Sequence, residues 1–435
     1  MILENRFNYT AEFMKDSEDI LETAILKTPS YAPWKQFDPG TGFPVNARYD
    51  SIPELTKQMI REGFPKGLMP VSMDLQKGLD SEEIEYTFTS GTTGDRVVNI
   101  WDQDWWNRAE AASWKLNRHT ASFSYPQKEA KLASSLNVGI SCEEDLPFES
   151  RLVGNKLYLN EKINLIQWQN KHYARMVDEL NSYKPVILEA NPSLLTRLCY
   201  WIIDNDIEVY SPEVVTFTYE YISKIHKRVI NRVFSSPLIS SYGTTETGFV
   251  FMECEDGLLH QNTEFCRIDF HPLKDIYGGP ELGRMLVTTF RNPWNIVVKF
   301  DTGDLIRLHK NGECSCGRHE GMIADFIEGR TSNSTFTEDS RLVTTKMLDD
   351  LLSGNEYIRD YNMIQNSPHE YTLTVMVSKD TPSGITGDIE KLLKSLYGNT
   401  GRYNIKIVDN ILPGPAGKFR RTQIDYDYDW SSLFV

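Results

Sequence analysis

Apolar residues follow two alternating spacings through the middle of the chain. Short apolar runs typical of strands occur at LASSLNV, PVILEA, VVTFT and PLISSYG, between Leu132 and Tyr242. Segments with apolar residues at helical spacing separate them: IQWQNKHYARMVDEL, SLLTRLCYWIID and ISKIHKRVINRVF. Regular alternation of strand and helix patterns is typical of a sheet covered by helices. The sequence therefore predicts an α/β fold for this region.

The two ends of the chain differ from this middle. The first eighty residues combine a helical pattern at Ile52 to Glu62 with a loop at Phe37 to Pro44, and Leu282 to Leu308 is rich in strand formers. After Gly329 the pattern becomes α+β, with helices at Thr345 to Leu352 and DIEKLLKSLYG and strands at YTLTVMV and NIKIVD. We predict a large domain of layered α/β sheets with a β-rich subdomain over residues 1–329, and a small, mobile α+β lid domain over residues 330–435.

Charge and composition narrow the classes of partner and compartment. The 435 residues contain 46 Lys and Arg against 61 Asp and Glu, a net charge of −15. Such an acidic chain is a poor candidate for binding nucleic acid or anionic lipid, which need basic surface. No apolar run approaches the length of a membrane span, and the first fifteen residues lack the apolar core of a signal peptide. We expect a soluble, cytoplasmic protein whose six cysteines are reduced.

A loop rich in glycine and hydroxyl residues joins two strand-like segments early in the chain. Ser90, Gly91, Thr92, Thr93 and Gly94 lie between IEYTFT and the apolar run from Val97 to Trp101. Glycine allows the backbone to approach a phosphate closely, and hydroxyl groups supply neutral donors. The lysine that a P-loop requires is absent, which disfavours that class of nucleotide site. Taken alone, a segment of this kind is more often an ordinary turn.

Further motifs follow at wider spacing and change that interpretation. They are Tyr242-Gly243-Thr244-Thr245-Glu246, Asp301-Thr302-Gly303-Asp304, Glu328-Gly329-Arg330 and Gly417-Lys418. Together with the glycine loop they resemble, in order and approximate spacing, the adenylate-forming superfamily of acyl-CoA ligases, acyl-activating domains and luciferases. The resemblance extends over residues 84–422 and is strongest to the phenylacetate-CoA-ligase-like branch.

The resemblance implies a role for each motif. Ser90 to Gly94 would hold the β- and γ-phosphates of ATP, Tyr242 would lie against the adenine, and Gly243 and Thr244 would complete the nucleotide loop. Thr245 would donate to the α-phosphate and Glu246 would ligate Mg²⁺, which prefers oxygen ligands. Asp304 would accept both ribose hydroxyls and Arg330 would close over the ribose. Lys418 would neutralise charge during adenylation, and Arg420 and Arg421 are expected to supply basic surface nearby.

Each of these residues also has an ordinary structural alternative. Tyr242 could be a core residue, Thr245 a helix cap and Glu246 a solvated surface carboxylate. Asp304 could be a turn aspartate, and Arg330 could form an ion pair with Glu328 or Asp325. A lysine in a Pro/Gly-rich turn, such as Lys418, is by itself an ordinary surface residue.

Four metal-ligating residues form a second constellation. Cys254 and His260 lie just beyond the Tyr242 motif, and Cys314 and Cys316 flank a serine beyond the Asp304 motif. A closed set of three thiolates and one imidazole is typical of structural zinc. Four unrelated residues in a reducing compartment are the alternative. Cys266 or His319 could also replace one of the four ligands.

The motifs together predict an enzyme. We expect ATP-dependent activation of a small-molecule carboxylic acid, aryl or arylacetic by resemblance, to acyl-AMP, with acyl transfer to a thiol, coenzyme A by preference. Transfer to a carrier protein or an amine, and a non-catalytic nucleotide-binding relative, are the alternatives. The hinge residue of the family has no match in this sequence, and Ser332 is the nearest position to it. Candidate pocket walls lie at Ser134 to Ile140, Tyr219 and Phe249. A homodimer is compatible with the resemblance, but no sequence feature requires one.

Overall fold

The computed structural model describes residues 6–88, 97–124, 126–134, 142, 144–414 and 417–435. The chain divides into two compact units. The first unit consists of Met1–Ser124, Ser241–Pro272 and Gly283–Phe326, and the second of Tyr125–Ser240, Leu273–Leu282 and Ile327–Val435. The glycine loop from Ser90 to Gly94 lies outside the described residues.

Within the described residues there are eleven α-helices and twenty strands. The helices are α1 (Ala11–Lys27), α2 (Val45–Ser51), α3 (Lys57–Gly63), α4 (Leu75–Asp80), α5 (Gln103–Trp114), α6 (Phe148–Arg151), α7 (Asn170–Tyr183), α8 (Pro192–Asp204), α9 (Lys224–Val233), α10 (Thr345–Leu352) and α11 (Ile385–Tyr397). The strands are β1 (Glu85–Phe88), β2 (Val98–Trp101), β3 (Glu129–Leu132), β4 (Leu152–Val153), β5 (Lys156–Tyr158), β6 (Ile187–Ala190), β7 (Val214–Phe217), β8 (Leu238–Thr244), β9 (Gly248–Glu253), β10 (Leu259–Gln261), β11 (Cys266–Pro272), β12 (Leu282–Thr289), β13 (Phe300–Leu308), β14 (Ile323–Arg330), β15 (Thr335–Phe336), β16 (Leu342–Val343), β17 (Ile358–Ser367), β18 (Glu370–Val377), β19 (Arg402–Ile407) and β20 (Thr422–Ile424). None of the helices in this part of the chain has the length and apolar character that crossing a membrane requires.

The first unit is built on a largely antiparallel sheet. Its strand order is β11–β12–β13–β14–β10–β9, followed by the part of β8 from Ser241 onward. β1 and β2, which match the two strand-like segments predicted on either side of the glycine loop, form a separate antiparallel pair. The helical N-terminal segment contributes a core in which residues such as Phe13, Leu21 and Tyr31 pack with Phe290 and Phe300.

The second unit contains the predicted α/β layer. Strands β5, β3, β6, β7 and the beginning of β8 run parallel in that spatial order. Helices α7, α8 and α9 pack on the sheet through one apolar core, which includes Leu188 and Val215 of the strands and Leu195 and Ile230 of the helices. Strands that alternate with crossover helices give this parallel arrangement, and the predicted α/β class is confirmed.

The α+β pattern at the end of the chain forms a second sheet in the same unit. Its order is β19–β18–β17–β20, with α10 and α11 packed on it through residues such as Leu348, Ile389 and Leu373. The predicted helix at Thr345 to Leu352 matches α10, which begins after the cap residue Thr344. The second predicted helix begins three residues earlier than expected, at Ile385, and ends before Gly398.

Three further predicted elements have bounds that differ from the structure. The helix predicted from Ile52 to Glu62 begins only at Lys57, because Thr56 caps it and Pro53 disfavours a helix at the residue before it. The helix predicted from IQWQNKHYARMVDEL begins at Asn170, after a short 3₁₀ turn at Leu165–Gln167. The strand predicted at LASSLNV begins too late, because β3 ends at Leu132, the first residue of that prediction, and the last four predicted residues lie outside the described residues.

Candidate functional site

The Tyr242 motif forms a tight turn between β8 and β9 of the first unit. The hydroxyl groups of Thr244 and Thr247 lie 3.0 Å apart, and each accepts a hydrogen bond from the other residue's backbone N–H. A side chain at Gly243 would place its Cβ 2.1 Å from the carbonyl oxygen of Gly248. Glycine is therefore required where the two strands approach, and the turn holds Thr245 and Glu246 in a fixed position.

Tyr242 and Asp304 are brought together from 62 residues apart. The Tyr242 hydroxyl donates a hydrogen bond of 2.8 Å to the Asp304 carboxylate. Asp304 follows a turn in which Gly303 has a φ of +76° and donates its N–H to Asp301 at 2.8 Å. An aromatic ring beside a carboxylate, which can accept hydrogen bonds from two neighbouring hydroxyl groups, is the arrangement expected for a base and its ribose.

Glu246 has surroundings unlike those of a surface carboxylate. Its residue is 5% exposed, and no other described residue forms a hydrogen bond or ion pair with it. Its carboxylate oxygens are not among the fully buried side-chain atoms that lack a hydrogen-bond partner. A carboxylate is the kind of oxygen ligand that Mg²⁺ prefers, and the metal role of Glu246 stays a prediction.

Arg330 and Lys418 belong to the second unit. Arg330 ends β14, is exposed, and follows Gly329, whose φ is +105°. Lys418 is half-buried, and its carbonyl oxygen accepts a hydrogen bond of 2.9 Å from the N–H of Gly414. Ser332, the nearest match to the family hinge, is exposed in a short 3₁₀ turn at Thr331–Asn333. The roles of these residues stay predictions, as do those of Ser90 to Gly94.

The four predicted zinc ligands converge in the first unit. The ligand atoms of Cys254, His260, Cys314 and Cys316 all lie within 4.8 Å of one another. The Sγ atoms of Cys254 and Cys314 are 3.7 Å apart, and Cys316 Sγ lies 3.4 Å from His260 Nε2. Tetrahedral zinc with bonds of about 2.3 Å to sulfur and about 2.0 Å to nitrogen would separate such atoms by about 3.8 and about 3.5 Å. The two measured separations therefore match those expected around a tetrahedral zinc ion.

Protonation in the cluster is also compatible with a metal. Burial lowers the pKa of His260 to about 4, so its imidazole is neutral and able to ligate. Burial opposes ionisation of Cys316, but hydrogen bonds from the Arg318 backbone and from Cys314 hold its pKa below the usual value. Burial raises the pKa of Cys254 and raises that of Cys314 to about 12. A bound zinc ion would deprotonate such thiols.

The structure selects among the alternative zinc ligands. Cys266 is buried elsewhere, with its Sγ 3.5 Å from the carbonyl oxygen of Asn262, and His319 is exposed. Neither joins the cluster. Two polar contacts hold the cluster's turns together: Arg318 pairs with Glu255 at 3.0 Å, and Ser315 donates to Asp256 at 2.7 Å.

Comparison with known proteins relates this geometry to a fold. No protein-family model matches the chain. Protein CapK of Staphylococcus aureus is 20% identical over 388 residues, which cover 86% of this chain and 80% of CapK. The crystal structure of 2-hydroxyisobutyryl-CoA ligase in the postadenylation state, in complex with 2-HIB-AMP, superposes with a TM-score of 0.72 at 14% identity, covering 97% of this chain and 91% of the ligase. The chain has the fold of the adenylate-forming enzymes.

A second solved structure supports the same assignment of fold. The anthranilate CoA ligase AuaEII, in complex with anthranoyl-AMP, superposes with a TM-score of 0.54 at 13% identity, covering 78% of this chain and 66% of AuaEII. The predicted resemblance to the adenylate-forming superfamily is thus confirmed for the fold. The turn between β8 and β9 and the Asp304 turn of this adenylate-forming fold carry the motif residues described above.

The predicted surface position of Arg421 is wrong, and nothing in the sequence indicated its partners. Arg421 was expected to supply basic surface, but it is 5% exposed and forms an ion pair of 2.7 Å with Asp360. Its second nitrogen donates to the Nε2 atom of His226 at 2.7 Å. These partners are 61 and 195 residues away, so no local pattern could have indicated them. Arg420, in contrast, is exposed as expected.

Proposed function

We propose that this chain is an ATP-dependent ligase that activates a carboxylic acid as acyl-AMP, releases pyrophosphate and passes the acyl group to coenzyme A. The observation that carries the proposal is the position of Glu246, which is 5% exposed and lies on a turn that the Thr244 and Thr247 side chains hold together. The Tyr242–Asp304 pair in the same unit and the adenylate-forming fold support it.

The proposed chemistry brings several anions together. Attack of a carboxylate on the α-phosphate forms an acyl-phosphate bond and breaks the bond to pyrophosphate, so the site must supply positive charge and donors. Glu246 would hold Mg²⁺, which neutralises phosphate charge, and Thr245 would donate to the α-phosphate. Lys418 would add a cation beside the reacting carboxylate, and Arg330 would contact the ribose. Ser90 to Gly94 would bind the outer phosphates.

We propose an aryl or arylacetic acid as the substrate. Phe249, which follows the Glu246 turn by three residues, packs on Trp106 with ring centroids 4.9 Å apart. Trp106 in turn packs on Trp101 at 4.2 Å. Flat apolar side chains of this kind bind aromatic acids well. Among the structural relatives, AuaEII carries an aromatic acyl-adenylate.

Substitution of Lys418 tests the proposal. Lys418→Ala should lower acid-dependent pyrophosphate release by on the order of 10²–10³-fold, because one charge-stabilising group in such a site has about this effect. Lys406, an exposed residue of β19, gives the matched control, and Lys406→Ala should retain wild-type turnover. Unchanged pyrophosphate release in Lys418→Ala with a wild-type circular dichroism spectrum would contradict the proposal.

The acyl acceptor needs its own experiment. Mass spectrometry of the products should detect an acyl-CoA when acid, ATP and CoA are supplied together. An acyl-AMP that accumulates and reacts only with an amine or a carrier-protein thiol would favour the alternative acceptors. A chain that forms no acyl-AMP from any acid would instead be the non-catalytic nucleotide-binding relative.

We also propose that Cys254, His260, Cys314 and Cys316 hold a structural zinc ion. Four protein ligands leave no position for water, so such an ion would join two turns rather than take part in the reaction. The division of the chain into a large domain, residues 1–329, and a small lid domain, residues 330–435, is likewise a proposal. Its lid would carry Lys418 and Arg330.

A further inference from the structure

A network of charged side chains is buried inside the second unit. It consists of Arg197 on α8, Asp360 on β17 and Arg421 near the chain end, which are 9%, 5% and 5% exposed. Arg421 donates to Asp360 at 2.7 Å, and Arg197 lies 3.7 Å from the other oxygen of the same carboxylate. Two guanidinium groups thus share one carboxylate between the α/β layer and the C-terminal sheet.

The same network reaches both sides of the Lys418 turn, the segment from Ile411 to Phe419, of which residues 415 and 416 lie outside the described residues. On the N-terminal side, Arg197 donates a hydrogen bond to the carbonyl oxygen of Ile411. On the C-terminal side, Glu220 accepts a hydrogen bond of 2.8 Å from the backbone N–H of Phe419. The guanidinium of Arg197 also lies over the Phe419 ring, 4.9 Å from its centroid. The backbone that flanks Lys418 is therefore bound by two residues of the α/β layer.

Glu220 is held in place by its own contacts. Its second oxygen accepts a hydrogen bond of 2.9 Å from Ser193, the second residue of α8, whose cap residue is Asn191. Burial raises the pKa of Glu220, although the hydrogen bonds from Phe419 and Ser193 oppose this shift. A carboxyl group in such a place acts mainly as a hydrogen-bond acceptor, a role that a glutamine side chain can fill.

Stability alone does not explain these buried charges. Replacing a buried ion pair with apolar residues is often neutral or stabilising, because two charges must lose their water. The best-attested role of charged groups in the interior is to fix one structural arrangement among several alternatives. Here the fixed arrangement is that of the backbone on either side of Lys418.

We propose that Arg197 and Glu220 are positioning residues that hold the Lys418 turn for the adenylation half-reaction. This inference rests on the proposed function, because adenylation is the reaction in which Lys418 is proposed to act. Neither residue needs to touch the substrate, because each acts through the backbone beside Lys418. Formation of a thioester from acyl-AMP that is already made involves no attack on the α-phosphate, the step in which Lys418 is proposed to act, so it should not need the two residues.

The experiment separates the two half-reactions. Acid-dependent pyrophosphate release is measured for adenylation, and conversion of synthetic acyl-AMP with CoA is measured for thioester formation. Arg197→Met and Glu220→Leu should each lower the kcat of adenylation by on the order of tenfold to 10²-fold, since small displacements of a catalytic group have effects of this size. KM for ATP and for the acid should stay within about twofold. Thioester formation should stay within about threefold of the wild type.

Two further variants distinguish positioning from general destabilisation. Glu220→Gln keeps an acceptor for the Phe419 N–H and should restore most of the adenylation rate. Arg228 on α9 makes the same kind of contact away from the Lys418 turn, donating to the carbonyl oxygens of Ser353 and Ile358 at 3.0 Å. Arg228→Met should lower the melting temperature without changing either half-reaction.

Several results would overturn the inference. They are equal losses in both half-reactions, a failure of Glu220→Gln to restore the rate, or wild-type adenylation in Arg197→Met and Glu220→Leu while Lys418→Ala is inactive. Full activity in Lys418→Ala would overturn the proposed function as well, which distinguishes the two failures.

Discussion

Glu246 lies on a turn that its threonine neighbours hold rigid, and its carboxylate has no partner in the described part of the chain. If it ligates Mg²⁺, Glu246→Gln should lower acid-dependent pyrophosphate release by on the order of 10²-fold and shift the Mg²⁺ requirement to higher concentration. The rate of acid-dependent pyrophosphate release, measured over a range of Mg²⁺ concentrations, shows both effects. Glu85→Gln, at an exposed position of β1, is the control that should behave as wild type. Equal Mg²⁺ dependence in Glu246→Gln and wild type would exclude the metal role.

His226 makes a second residue-scale prediction, on pH and stability. Burial, with the Arg421 charge second, holds the pKa of His226 well below its usual value, so the imidazole stays neutral in the folded protein. The unfolded chain binds a proton below about pH 6.5, and the stability that His226 provides is therefore present above that pH and lost as the pH falls. Lowering the pH from 6.5 to 5.5 should cost about 1 kcal/mol of unfolding free energy through this group.

Urea unfolding at several pH values measures the effect of His226. His226→Gln should flatten the pH dependence, whereas His369→Gln, at an exposed position, should leave it unchanged. A wild-type slope in His226→Gln would show that other groups carry the pH dependence.

Residues in local motifs were the ones that the sequence could identify. Tyr242, Glu246 and Asp304 stand in short patterns with a chemical meaning, and the structure brings Tyr242 and Asp304 together. Arg421 was misassigned because its environment depends on Asp360 and His226, which only the folded chain brings near. Whether a charged side chain is buried depends on the tertiary structure. Arg421 follows Lys418 and Arg420 in the sequence, and nothing in this basic segment indicates that one of its members is buried.

At the scale of elements, the pairing of β8 with β9 depends on one glycine. The Cβ of an alanine at Gly243 would lie 2.1 Å from the carbonyl oxygen of Gly248, which is backbone and cannot move aside alone. Gly243→Ala should therefore lower the unfolding free energy by about 1–3 kcal/mol, as overpacking does. Gly42→Ala, where nothing lies within 4 Å of the added Cβ, is the control. Equal urea midpoints for the two variants would contradict this account of the turn.

A zinc ion would connect the β9–β10 segment with the segment between β13 and β14. Cys254 directly follows β9 and His260 lies in β10. Cys314 and Cys316 lie between β13 and β14. Metal analysis of protein purified without a histidine tag should find about one equivalent of zinc, and less than about a tenth would contradict the site. Removal of the metal, or Cys316→Ser, should lower the melting temperature by several degrees, because the ion is bound only by the folded chain.

Element types were predictable from apolar spacing, but some ends were not. The α/β alternation and α10 follow directly from the spacing of apolar residues. The start of α3 was misplaced because Thr56 and Pro53, rather than the apolar pattern, decide where that helix begins. Caps and prolines act through single backbone groups, which a periodic pattern does not register.

At the scale of the whole molecule, the chain folds as two compact units, and its fold is that of the adenylate-forming enzymes. The sequence indicated this fold through its motif order, since the five motifs are spread over more than 300 residues. The division into units could not be predicted in the same way. Residues 327–435 cluster with the α/β layer through contacts such as those of Arg197 and Glu220, which the sequence does not reveal.

Acid-dependent exchange of labelled pyrophosphate into ATP, measured with the full chain across a panel of carboxylic acids, tests the central claim most directly. The account predicts that at least one acid, aryl or arylacetic by preference, stimulates exchange well above the acid-free rate, and that this stimulation requires Mg²⁺ and is lost in Lys418→Ala. Exchange that no acid stimulates, in protein that is folded and binds ATP, would contradict the account and leave a nucleotide-binding protein without ligase activity.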